Sequence, residues 1–131
     1  MSTNSTIAIQ HKDGTIEQVY CHWDGYLSHN GKILLGFYTE RSKVEELIKL
    51  GSISILDKDI GEQQDFDKRT AGMTLAYHRD RDETLHIDKF SSKRHMELDG
   101  NLQEFNYFFN DNDTWEVGKK IWSDLAEAIY S

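Results

Sequence analysis

The chain has 131 residues, 37% of them hydrophobic and 29% charged, with three Trp, six Tyr and six Phe. That is too much core material for a disordered chain and matches the length of one ordinary domain, so a single domain spanning 1–131 is expected. A formal charge of −8 argues against a broad nucleic-acid surface, because phosphate contacts need clustered Lys and Arg.

The opening MSTNST has neither a basic nor an apolar leader region, and no run approaches the ~20 apolar residues that cross a bilayer. No membrane association and a cytoplasmic location are therefore expected. Cys21 is the only cysteine, which excludes an intrachain disulfide and a cysteine-based zinc site.

Thr6–His11 and Ile16–Trp23 flank Asp13-Gly14, a strong hairpin signal. In the second strand Val19, Cys21 and Trp23 share one face, and Tyr20, His22 and Asp24 the other. Neighbours that point to opposite sides cannot make a Cys21–His22 dyad, and Cys21 reads as a small core residue. After Gly25 the period changes: Ile33, Leu34, Phe37 and Tyr38 predict a helix with Asn30 as its N-cap. A second helix follows, with Ser42 and Glu45 as a capping box, Val44, Leu47 and Ile48 as its buried stripe, and Gly51 as its stop.

Residues 51–72 show no sustained period and read as a long ordered loop. Met73–His78 and Thr84–Phe90 read as strands around a charged turn at 79–83. A further strand carries Phe105, Tyr107 and Phe109, and residues 110–113 turn it into a return strand with Trp115 and Val117. Ile121, Trp122, Leu125, Ala126 and Ile129 predict a C-terminal amphipathic helix. Hairpin-linked strands with grouped helices indicate an α+β fold, with an antiparallel sheet of four to six strands.

A P-loop, a dinucleotide-binding fingerprint and a G-x-S-x-G elbow are all missing. His22/Asp24 and His86/Asp88 form two H-x-D pairs that suggest small histidine phosphodiesterases. Those enzymes carry a hydroxyl residue two places after each histidine, where this chain has Asp. His78, Asp80, Asp82 and His86 offer metal-ligating types, yet an alternating ion-pair ladder on a solvated turn explains them better. Asp57, Asp59 and Gly61 echo a calcium loop with the glycine out of place. No metal and no cofactor are expected.

Charge is unevenly spread. Residues 63–95 carry seven Lys/Arg against six Asp/Glu, whereas residues 96–131 carry two against eight. A binding constellation survives: Tyr20, His22, Asp24 and Tyr26 face away from the core, Lys32 lies at a helix start with exposed backbone N–H groups, and His78, Arg79 and Arg81 occupy the least acidic third. If the sheet brings these ends together, aromatic rings, a carboxylate and arginines converge as a nucleotide pocket needs.

The motif V-Y-C-H-W-D-G-Y, the helix ending E-E-L-I-K-L-G, then A-Y-H-R-D-R and N-D-N-D-T-W-E-V resemble a group of small uncharacterised accessory proteins of tailed phages and prophages. The resemblance spans roughly residues 3–117. His78 stands where a glycine is more usual, and Ser91–Asn101 is a polar insertion. The resemblance implies a protein that acts in the cytoplasm of an infected bacterium and redirects or disarms the host. The leading expectation is non-catalytic binding of a small phosphorylated or nucleotide-like ligand, sequestering a host immune signal, with a homo-oligomer sharing its pockets. One alternative is an acidic protein–protein inhibitor, in which residues 96–131 with Asp57, Asp59, Glu62, Asp65 and Asp67 imitate nucleic acid against a host enzyme. A second is a metal- or histidine-dependent phosphodiesterase.

Overall fold

The computed structural model describes residues 2–130. The Asp-Gly hairpin forms: β1 (Ser5–Gln10) and β2 (Ile16–Cys21) pair antiparallel in the register Ile7↔Val19, Ala8↔Gln18 and Thr6↔Tyr20. Gly14 takes the turn at φ +91°, a conformation that L side chains rarely adopt. Asp13 Oδ1 braces the turn by accepting from the Thr15 backbone N–H at 2.9 Å and from its hydroxyl at 2.6 Å.

Six further strands complete the sheet. They are β3 (Ile53–Ile55), β4 (Leu75–Ala76), β5 (Asp88–Phe90), β6 (Phe105–Phe109), β7 (Trp115–Gly118) and β8 (Trp122–Asp124). The order is β4-β3-β2-β1-β6-β7-β8, and β5 also pairs with β2. β1 with β6 and β2 with β3 run parallel, so the eight-stranded sheet is mixed. The expectation of four to six antiparallel strands is corrected in both size and direction. The α+β class and the C-terminal helix stand.

Alternation along β1, β2 and β6 divides the sheet into two faces. Ile7, Ile9, Val19, Cys21, Tyr107 and Phe109 line the first. They pack with Leu34 of α1 (Lys32–Phe37), Val44, Leu47 and Ile48 of α2 (Arg41–Lys49), and Leu125 of α5 (Leu125–Tyr130). Each such side chain contributes roughly 1.5–3 kcal/mol on full burial. On the second face a smaller cluster of Ala8, Ile16, Phe90 and Phe108 is covered by Met96 of α4 (Lys93–Asp99). The rest of that face is polar: Thr6, Gln18 and Asn106 are buried, and Tyr20 is half-buried beside them.

Several local expectations are corrected. Asn30 is no helix cap. It lies buried in a π-helical turn, Leu27–Gly31, which runs straight into α1. The Lys32 backbone N–H is bonded to carbonyls of that turn, so it is not free to face a ligand. Helix α2 starts two residues earlier than its S-x-x-E box requires, with Glu40 at the cap and no side-chain capping bond. Strand β2 ends at Cys21, and Trp23 lies beyond it, exposed.

β4 and β5 do not form a hairpin with each other. β4 pairs with β3, inside the stretch expected to be loop, and β5 pairs with β2. Between them the expected turn winds into a short helix, α3 (Tyr77–Arg81), ended by Asp82 at φ +54°. Trp122 belongs to β8, so the last helix begins only at Leu125.

Candidate functional site

The register places the two predicted site segments on one face of the sheet. Cys21 pairs with Ile53, and Ile53 with Ala76. The residues next to these, Tyr20 and Tyr77, therefore lie on the opposite face, two strands apart, or about 10 Å. Ser52 lies between them and accepts the Tyr77 backbone N–H at 3.2 Å.

The segments face each other across β3 through Tyr20 and Tyr77, while Arg79 points into the fold. Its guanidinium donates to Asp80 Oδ1 at 3.0 Å, to the Ile60 carbonyl at 2.9 Å and to the Thr74 carbonyl at 2.7 Å. Asp80, whose side chain is wholly buried, also accepts the backbone N–H groups of Gln64 and Ala76. This ion pair fastens the 56–74 loop against α3. Arg81 is half-exposed, pairs with Glu83, and lies over the rings of Phe66 at 4.6 Å and Tyr77 at 5.1 Å. His78 Nδ1 bonds the Glu83 carbonyl at 2.7 Å.

At the bend, Tyr20 and His22 share a 2.9 Å hydrogen bond, and His22 meets Trp23 edge to face. Asp24 adopts φ +55° and accepts from the Tyr26 hydroxyl at 3.1 Å. Behind them, Asn30 donates to Ser5 Oγ at 3.2 Å and to the Trp23 carbonyl at 3.4 Å. Much of the V-Y-C-H-W-D-G-Y segment thus serves to set the bend. Lys32 is exposed.

Among the predicted residues, Tyr20 lines a cavity. A polar cleft of about 180 Å³ opens over the second face of the sheet, walled by Thr6, Gln18, Tyr20, His86, Asp88, Gly100, Asn101 and Gln103. Its floor is the polar end of β1 and β2. One wall is the end of α4, where Gly100 closes the helix through a 2.7 Å bond to the Met96 carbonyl and Asn101 follows at φ +50°. A Cβ at Gly100 would lie 2.4 Å from the Met96 oxygen, so only glycine fits. The other wall is the start of β5 and the segment before it, where His86 pairs with Asp88 at 3.0 Å.

Most of the buried polar groups beneath the cleft satisfy one another. Thr6 donates to Asn106 Oδ1 at 2.9 Å, as does the Gln103 backbone N–H at 2.8 Å, and the Asn106 amide donates to the carbonyls of Gln103 and Gly118. Gln18 is the exception. It is 2% exposed, its Nε2 donates to the Gly100 carbonyl at 2.8 Å, and its Oε1 has no partner. Because Nε2 is committed as donor, the amide orientation is fixed and Oε1 is a true acceptor. A buried acceptor left unpaired costs about 1–3 kcal/mol. Desolvation, with the nearby phenol of Tyr77, pushes the Tyr20 phenol above its ordinary pKa.

A larger cleft of about 440 Å³ is walled by His11, Thr15, Ile16, Glu17, Lys89, Phe90 and Ser91. His11 and Glu17 pair with each other there at 2.8 Å, and no unpartnered buried polar atom is found in its wall among the described residues. At its rim Ser91 Oγ lies 3.1 Å from His95 Nδ1, and His95 Nε2 lies 3.3 Å from Asp99. The residue types are those of a hydrolase relay, but the bonds belong to the helix. The same Nδ1 accepts the Ser91 backbone N–H at 3.2 Å, Ser92 caps the His95 N–H, and His95–Asp99 is an i,i+4 pair.

Gln18 was missed by sequence reasoning because a Gln between Glu17 and Val19 carries no motif. Its signal was the position it shares with Tyr20 on the alternating strand. Among the described residues no three His, Cys, Asp or Glu side chains gather as a metal site, and His78, Asp80, Asp82 and His86 do not converge. Comparison with protein-family models, with curated proteins and with solved structures gives no match.

Proposed function

We propose that the protein binds, without turning it over, one ring of a nucleotide-like ligand in the cleft over Gln18 and Tyr20. The observation that carries this reading is a cleft on the second face of the sheet in which the Tyr20 ring stands with Gln18, His86, Asp88, Asn101 and Gln103. A volume of about 180 Å³ is below the ~300–1,000 Å³ typical of sites that enclose drug-sized molecules. One base fits this scale better than a whole dinucleotide. The wall includes no Lys or Arg, so phosphate groups extend outside the cleft. Arg81, which stacks over Tyr77 two strands from Tyr20, is a candidate cation for them.

The phage-type resemblance supplies the biological setting, sequestration of a host signalling nucleotide, and a homo-oligomer suits a sponge of that kind. Calorimetry against mononucleotides, NAD, ADP-ribose derivatives and cyclic dinucleotides tests the reading. Micromolar binding of at least one nucleotide is expected, and silence across the panel at high protein concentration overturns it. Recovery of chemically altered nucleotide would favour the phosphodiesterase alternative, for which His22 and His86 both neighbour Tyr20.

The acidic-mimic alternative is less favoured. Asp113 pairs with Arg41 at 2.7 Å, Glu116 with Lys93 at 2.8 Å and Asp57 with Arg69 at 2.9 Å. Carboxylates neutralised by their own chain present little of a phosphate track.

A further inference from the structure

We propose that two copies of the chain join at the outer edge of β8, by antiparallel pairing of β8 with β8 into one continuous sheet. The proposal goes beyond the nucleotide reading and does not depend on it. The chain treats the two ends of its sheet differently. Beside β4, the Ala76 N–H is taken by Asp80 and the Thr74 carbonyl by Gln64 and Arg79, so the chain itself covers that end. β8 is the last strand at the other end, and among the described residues no further strand or loop backbone bonds its outer side. An open edge of this kind is a template for another strand. Ile121, immediately before β8, is 87% exposed and is the apolar side chain that such a contact covers.

Charge identifies the occupant. Residues 96–131 hold only two cations, Lys119 and Lys120, and both directly precede Ile121 at the start of β8. The far end of the strand is acidic, running through Asp124 to Glu127 in the first turn of α5. None of these four side chains joins an ion pair within the chain among the described residues. A strand that begins basic and ends acidic complements a second copy of itself run in the opposite direction. The lysines of each copy then lie beside Asp124 and Glu127 of the other, and two-fold symmetry makes the contact twice. Parallel pairing sets like charges together. A three-residue edge is smaller than the ~800 Å² per partner of a standard interface, so the dimer is weak and reversible. Its two-fold axis stands normal to the sheet, so both polar clefts open on the same side. Each lies four strand spacings, or about 19 Å, from the join.

Sedimentation of the full chain from micromolar to millimolar concentration is the test. A monomer–dimer equilibrium that added salt weakens is expected. Lys119→Glu with Lys120→Glu, and separately Asp124→Asn with Glu127→Lys, should each weaken the dimer about tenfold or more while circular dichroism is unchanged. Asn at 124 keeps the oxygen that accepts the Glu127 backbone N–H. Mixing the two variants should restore a dimer, because the acidic ends of one now meet the basic ends of the other. A strict monomer at millimolar concentration overturns the proposal and leaves the edge to an extended segment of another protein. A dimer that both variants form as readily as the unmodified chain, or a mixture that restores nothing, overturns it and places any association elsewhere. If either variant fails to fold, amide NMR of the unmodified protein decides: concentration-dependent shifts must centre on residues 121–124, and shifts centred elsewhere overturn the pairing.

Discussion

The phenol oxygen of Tyr20 and Nδ1 of His22 lie 2.9 Å apart, joining the floor of the polar cleft to the bend at the end of β2. In the proposed binding mode Tyr20 supplies the ring against which a base stacks, and its bond to His22 tethers that ring. Stacking on an aromatic contributes about 1–3 kcal/mol per base. Tyr20→Ala should therefore weaken nucleotide binding about tenfold or more, while Tyr20→Phe, which keeps the ring and loses the tether, should weaken it less. Titration calorimetry on both variants checks this order, and undiminished binding by Tyr20→Ala counts against the cleft.

Arg79 and Arg81 look equivalent in the sequence, yet they should behave differently. Arg79 is tied to the wholly buried Asp80, and breaking such a pair costs roughly 3–5 kcal/mol. Arg79→Ala and Asp80→Ala should both depress the urea midpoint strongly, and the double variant should cost much less than the sum. Arg81→Ala loses an exposed pair and its aromatic contacts, so it should cost under about 1 kcal/mol. It should lower affinity for nucleotides more than for the free nucleoside. Near-normal stability of Arg79→Ala contradicts this assignment.

Cys21 has no exposed surface, and burial pushes its thiol up to about 11 from an ordinary value of 9.0. The folded state holds the neutral thiol, so its contribution to stability is complete below the unfolded pKa and is lost as pH rises through the folded one. Iodoacetamide should leave the native protein unmodified at pH 8 and label it fully in urea, as read by mass spectrometry. Stability should decline between about pH 9 and 11. Rapid native labelling would mean that the first face opens readily.

The Ser91–His95–Asp99 arrangement should act as a helix start only. Ser92→Ala, which removes the cap on the His95 backbone N–H, should cost about 0.5–2 kcal/mol, and a fluorophosphonate probe should leave Ser91 unlabelled. Covalent labelling at Ser91 that His95→Ala abolishes would instead assign a nucleophile to the larger cleft.

The first hairpin was legible because Asp13-Gly14 dictates a local turn, and the core residues of β1, β2 and β6 were legible from strict alternation. The helical period of Val44, Leu47 and Ile48 likewise located α2. The partner of β1 was not legible. Ser5 pairs in parallel with Phe105, and no local rule encodes a contact between residues a hundred positions apart. β3 was missed because a strand of three residues carries too little period to detect, while β4 fell inside the expected strand Met73–His78 and only its pairing with β3 was not legible. α3 was hidden because buried Asp80, which looks solvated in Arg-Asp-Arg-Asp, caps Ala76 through a bond that exists only after folding. In the site, Tyr20 was found by its face, whereas Gln18, Gly100 and Asn101 come together through the Gln18–Gly100 bond, which spans 82 positions.

The most direct test of the cleft is a two-dimensional amide NMR titration of the intact protein with adenosine monophosphate, following backbone and Gln side-chain signals. The account predicts shifts concentrated at Gln18, Tyr20, Gly100, Asn101 and Gln103, with the Gln18 side-chain amide among the largest. Saturation without movement of these signals, or movement centred instead on His11, Phe90 and Ser91 around the larger cleft, would contradict it.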